Sequence, residues 1–123
     1  MVNNKKILVV EDNELNQKLF TDLLEAHNYE VIQTKDGREA VALAGKERPE
    51  VIIMDIQLPN ISGIEVIKLL KADKNTKDIP ILAVTAFAMQ DDEEQILASG
   101  CEAYMSKPIS IVEFIEKINQ ILK

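Results

Sequence analysis

A doubly wound α/β domain on a five-stranded parallel sheet is the fold class that the sequence predicts, and three observations predict it. Short apolar runs alternate five times with helical patterns, which implies parallel strands, right-handed crossovers and helices on both faces. Two of the runs, Val51–Met54 and Ile81–Val84, are continuously apolar, as strands covered on both faces are. The chain has 123 residues, 46% of them hydrophobic. That suffices for one compact domain over 1–123 without metal or disulfide staples.

The first strand is expected over Ile7–Val10, where Glu11 and Asp12 cut it off. Asp12 or Asn13 can cap a helix running to about His27, with Asn28 as its stop. Glu30–Thr34 reads as a more mixed strand, suited to a less protected position. Asp36 with Glu39 opens the second helix. Val51–Met54 is the third strand, and Ser62-Gly-Ile-Glu65 is a capping box for the third helix. After the fourth strand, Ile81–Val84, a helix begins near Met89, carries four acids at 91–94 and ends at Ser99–Gly100. Acids in a first turn suit the helix dipole. Few apolar residues pin this helix down, so it is expected to be mobile. Ala103–Met105 is the fifth strand, and Ser110-Ile-Val-Glu113 caps the fifth helix.

Composition narrows the function. Aromatic residues are 4% with no Trp, so the core is expected to be aliphatic. Lys plus Arg number 14 against 21 for Asp plus Glu, a formal net charge of -7. That excess repels phosphate backbones and argues against nucleic-acid binding. The one cysteine cannot form an internal disulfide and suits a cytoplasmic protein. No apolar run approaches membrane-spanning length, and none resembles a signal-peptide core. The expected partners are therefore proteins, not nucleic acid or membrane. No Walker or dinucleotide fingerprint occurs.

Ligands of such folds sit beyond the carboxyl ends of the strands. There the sequence places Glu11 and Asp12, Asp55, Thr85 with Ala86, and Lys107 with Pro108. An Asp after a strand is often only a helix cap, and a Lys there is usually solvated. Three carboxylates, one hydroxyl and one ammonium at four strand ends are harder to dismiss. Clustered carboxylates need a cation, and oxygen ligands suit Mg²⁺. Asp12 and Asp55 would bind it directly, and Glu11 through water or by positioning Asp12. A phosphoryl group on Asp55 would meet Mg²⁺ on one side and Lys107 on the other. Thr85 would donate its hydroxyl to it, and small Ala86 would leave its N–H accessible.

The spacing of these residues resembles the receiver domain of two-component response regulators, over the whole chain. Thr85 lies 30 residues after Asp55 and Lys107 lies 22 after Thr85. Lys107-Pro108, and Met54-Asp-Ile-Gln-Leu-Pro59 followed by Gly63, match that family's segments. The resemblance implies a flavodoxin-like (βα)5 fold with strand order 2-1-3-4-5. It implies that the Gln57 main-chain carbonyl is a further Mg²⁺ ligand and that the bond before Pro108 is cis. It also implies that Thr85 and Tyr104 act as switch residues, and that the phosphodonor is a histidine kinase or histidine phosphotransfer protein. Val10-Glu-Asp-Asn-Glu-Leu-Asn16, Val84-Thr-Ala-Phe-Ala-Met89 and Gly100-Cys-Glu-Ala-Tyr-Met-Ser-Lys-Pro-Ile-Ser110 resemble stand-alone cell-cycle regulators within the family.

On the first helix, Leu15, Leu19, Phe20, Leu23 and Leu24 span an arc of about 180°, wider than the usual core stripe. Leu15, Asn16 and Leu19 lie beside the acidic mouth and are expected to dock a kinase or phosphotransfer helix. Phe87, Met89, Pro108 and Ile109 are expected to complete the partner surface. Phe87 and Gln57 flank the water approach to Asp55, so a bland Phe87 is expected to slow self-dephosphorylation. Cys101, Met54 and Met105 read as core.

Two other functions compete. A dehalogenase-type phosphatase would want a second Asp two residues after Asp55, where Gln57 stands. The domain could also belong to a hybrid kinase or to a regulator with an output domain. Met1 and the end at Lys123, directly after the fifth helix, favour a complete single-domain regulator.

Overall fold

A computed structural model describes residues 5–59, 61–86, 90–107 and 109–122. Five strands and five helices alternate: β1 (Lys6–Val10), α1 (Glu14–Ala26), β2 (Glu30–Thr34), α2 (Gly37–Glu47), β3 (Val51–Asp55), α3 (Gly63–Ala72), β4 (Ile81–Thr85), α4 (Gln90–Ala98), β5 (Ala103–Ser106) and α5 (Ile111–Ile121). The strands form one sheet of order β2-β1-β3-β4-β5, and every pairing is parallel.

Alternate residues of each apolar strand feed opposite faces. Ile7, Val9, Val51, Ile53, Leu82 and Val84 pack with Phe20 and Leu24 of α1 and Phe114 and Ile118 of α5. The Phe20 and Phe114 rings meet at 5.2 Å between centroids and tie α1 to α5. On the other face Leu8, Val10, Ile52, Met54, Ile81 and Ala83 pack with α2, α3 and Ile96 of α4. β3 and β4 are buried along their whole length, and β2 is exposed at its start. Cys101, Met54 and Met105 are buried.

Local chemistry sets the ends of the helices. The Asn13 side chain caps α1 by accepting from the Asn16 N–H. Asn28 closes it at φ 69°, with Asn28 N–H donating to Glu25 O and Tyr29 N–H to Leu24 O, the Schellman arrangement. Ser110 accepts from the Glu113 N–H, as a capping box requires. Ser62 instead accepts from the Ile64 N–H, one residue short of that pattern. The expected helix start at Met89 lies outside the described residues.

Gln17 has a structural part that sequence reading missed. It is buried on α1, and its Nε2 donates to Glu11 O and Thr34 O, each at 3.3 Å. This side chain pins α1 onto the ends of β1 and β2. Gln17→Ala leaves the buried Glu11 carbonyl without that donor and should cost about 2 kcal/mol. A lower urea midpoint at unchanged m-value is the expected readout; an unaltered midpoint would refute the pinning role.

Candidate functional site

Each strand that carries an expected site residue runs one residue further than its apolar run. Asp55, Thr85 and Ser106 are therefore the last residues of β3, β4 and β5. Register then fixes their neighbours. Asp55 stands level with Val84, and Thr85 with Ser106. Backbone bonds extend the ladders past the strand ends: Ile56 N–H donates to Val84 O at 2.9 Å, and Lys107 N–H to Thr85 O at 2.7 Å. Glu11, Asp55, Thr85 and Lys107 thus sit on rigid backbone.

Glu11 and Asp55 are buried, and Asp12 is exposed. One carboxylate oxygen from each of Glu11, Asp12 and Asp55 can be chosen so that all three lie within 4.8 Å of one another. The Lys107 ammonium lies 3.0 Å from Glu11 Oε1 and 3.5 Å from Asp55 Oδ2. Glu11 Oε1 is fully buried and, despite that ion pair, has no partner in hydrogen-bond geometry. One ammonium cannot balance three carboxylates. Burial, with the hydrogen bond and charge of Glu11, pushes the Asp55 carboxyl up to about 7, against the pull of Lys107 and the Gln57 N–H. Burial also acts to raise Glu11, but the Asp55 carboxyl and Lys107 outweigh it and hold Glu11 below its usual range. The two carboxyls titrate as an interacting pair, with Asp55 raised and Glu11 lowered. An all-oxygen donor set with excess negative charge fits a hard divalent cation.

Gln57 N–H donates to Asp55 Oδ1 at 3.0 Å. The Gln57 carboxamide crosses to β4, where Nε2 donates to Thr85 Oγ1 at 2.8 Å and Oε1 accepts from the Ala86 N–H at 3.0 Å. This corrects one expectation: Ala86 N–H is bonded to Gln57, although Ala86 itself is exposed. Tyr104 lies apart from the carboxylates, on β5. The neighbouring Glu93 carboxylate of α4 raises the pKa of its hydroxyl.

Leu15 is 79% exposed and Leu19 38%, beside half-buried Asn16. Ile109 is half-buried and packs on the α1–α5 side of the core. Phe87, Met89 and Pro108, with the expected cis bond, lie outside the described residues. No helix among the described residues is long and apolar enough to cross a membrane.

Comparison with known proteins gives a consistent result. The family model for the response regulator receiver domain matches residues 7–119. The polar-differentiation response regulator DivK of Brucella anthropi is 58% identical over 118 residues, covering 96% of each chain, and that of Brucella ovis matches to the same extent. Among solved structures, the receiver domain of sensor histidine kinase PA1611 from Pseudomonas aeruginosa superposes with TM-score 0.90 at 33% identity over 98% of each chain. That structure has a magnesium ion coordinated in its active site cleft. The chemotaxis protein CheY4 of Vibrio cholerae superposes with TM-score 0.91 at 29% identity, over 98% of this chain and 100% of its own. Strand order, the acidic cluster at the strand ends and these relatives agree: the chain belongs to the response regulator receiver domain family.

Proposed function

We propose that Asp55 accepts a phosphoryl group from a phosphohistidine of a histidine kinase or phosphotransfer protein. The observation that carries this reading is the buried Asp55 carboxyl, 3.5 Å from the Lys107 ammonium and clustered with Glu11 and Asp12. In the transfer, an Asp55 oxygen bonds to phosphorus as the phosphorus–nitrogen bond of the donor breaks, and the imidazole nitrogen keeps the electron pair. Lys107 stays within reach to neutralise charge on the transferred group. Thr85 and the Ala86 N–H lie across the strand ends to receive its oxygens. Glu11, Asp12, Asp55 and the Gln57 carbonyl would hold Mg²⁺, which supplies charge neutralisation between attacking carboxylate and incoming phosphoryl. The domain is a phosphoacceptor and not an enzyme acting on a free substrate.

Signalling follows from a two-state element. Phosphoryl contacts bias Thr85 and Tyr104, and Tyr104, with Glu93 of α4 beside its hydroxyl, carries the change to α4. Exposed Leu15 and Leu19 receive the donor helix. The net charge of -7 favours a protein output partner over nucleic acid or membrane, and the cytoplasm as the place of action. The 58% identity to the DivK proteins supports a role as a single-domain regulator of polar differentiation.

Acetyl phosphate with Mg²⁺ is the direct test. The protein should gain one phosphoryl group, mapped to the segment around Asp55 by mass spectrometry, and none when EDTA replaces Mg²⁺. Label on another residue, or labelling that ignores the metal, would refute the assignment.

A further inference from the structure

Gln57 engages the two groups of β4 that a phosphoryl on Asp55 would need. Its Nε2 holds Thr85 Oγ1 at 2.8 Å and its Oε1 takes the Ala86 N–H at 3.0 Å. Its own backbone N–H is bonded to Asp55 Oδ1 at 3.0 Å, so the carboxamide extends from a fixed point beside the acceptor. A main-chain amide has one proton to give. While Oε1 accepts it, no phosphoryl oxygen can.

Few side chains can do this. The span requires a donor and an acceptor on one planar head and two methylenes of reach. Asn has both functions but is one methylene shorter. Glu offers only acceptors when ionised. Met has a similar length and neither function.

We propose that the Gln57 carboxamide is a latch: in the unphosphorylated protein it occupies the Ala86 N–H while anchored on Thr85 Oγ1, and it must swing out before that N–H can bind a phosphoryl group. This rests on the phosphoacceptor reading of Asp55. The latch sets a threshold, because the bound state must first break the Ala86–Gln57 hydrogen bond that the free state makes. Its removal raises the fraction of molecules ready to bind, and apparent affinity rises with that fraction. A Gln57 that merely positioned Thr85 and Ala86 for binding would have the opposite effect when removed.

Two measurements on wild type, Gln57→Met and Gln57→Asn test the latch. The first is amide exchange at Ala86 in metal-free protein, which involves neither Mg²⁺ nor phosphoryl. Both variants should exchange at least several-fold faster there, with other strand amides unchanged. The second is titration with beryllium fluoride, a phosphoryl mimic, in saturating Mg²⁺. Gln57→Met should bind it about tenfold more tightly than wild type. Unchanged Ala86 exchange, or equal or weaker beryllium fluoride binding in Gln57→Met, overturns the latch. Wild-type protein that takes no beryllium fluoride at Asp55 overturns the phosphoacceptor reading instead; the Ala86 exchange still reports whether the carboxamide bond exists.

Discussion

Asp55→Asn should take no phosphoryl group from acetyl phosphate and yet should be the more stable protein when metal is absent. The two effects share one cause. An amide lacks the nucleophilic oxygen, so labelling at this site should fall below detection. It also copies the neutral form that the buried site prefers. A carboxyl held at about 7 in the folded chain, against about 3.9 unfolded, binds its proton more tightly when folded. The resulting stability is complete below about pH 4 and is lost as pH rises through about 7. The depressed Glu11 carboxyl works in the other direction, since its stabilising contribution is lost on acidification. A three-unit rise alone is worth at most ~4 kcal/mol at pH 8, and the depressed Glu11 carboxyl opposes it. Thermal unfolding in EDTA should therefore place Asp55→Asn above wild type at pH 8 and near it at pH 4.5. Mg²⁺ should raise the wild type at pH 8 and move the variant far less, because binding to the folded state alone is stabilising. A variant less stable than wild type at pH 8 in EDTA would show that the site carries no excess charge.

Much of this arrangement was legible in the sequence because it follows from local pattern. The apolar runs gave the five strands, since buried parallel strands need no alternation. The cap residues Asn13, Asp36, Ser62 and Ser110 marked four helix starts, and Asn28 marked a stop, because small polar side chains satisfy exposed backbone groups. The acids and Lys107 were found from their places after strands. What stayed hidden depends on contacts between distant segments. Gln57 and Thr85 are 28 residues apart in sequence, and nothing local tells a Gln side chain to cross a strand. Gln17 reads as an ordinary polar helix residue until the ends of β1 and β2 are brought beside it. Arg48 closes α2 at φ 50°, a conformation an arginine does not advertise. The raised Asp55 carboxyl comes from burial beside Glu11 and from no feature of either residue alone.

Gly63→Ala should destabilise the protein by about 3 kcal/mol and disturb the Glu11–Asp12–Asp55 carboxylate cluster with it. Gly63 is the first residue of α3, and its N–H donates to Ile56 O at 3.0 Å. A Cβ there would lie 2.2 Å from Asp55 O and 2.7 Å from Ile56 Cα. Both are backbone atoms, so no side chain can turn aside; either α3 retreats or the end of β3 moves. Movement of β3 would shift Asp55 relative to Glu11 and Lys107, and Mg²⁺ affinity should fall. Gly37 differs, because the atoms nearest a Cβ there belong to the side chains of Val66, Ile61 and Leu58 and not to backbone. Gly45 supplies the control. It lies within α2 with nothing inside 4 Å of a built Cβ. Gly45→Ala should therefore stabilise by about 0.5–1 kcal/mol through helix propensity and a less disordered unfolded chain. Urea unfolding of the two variants should move the midpoint in opposite directions. Equal stability of Gly63→Ala and wild type would mean that α3 does not rest on the backbone that carries Asp55.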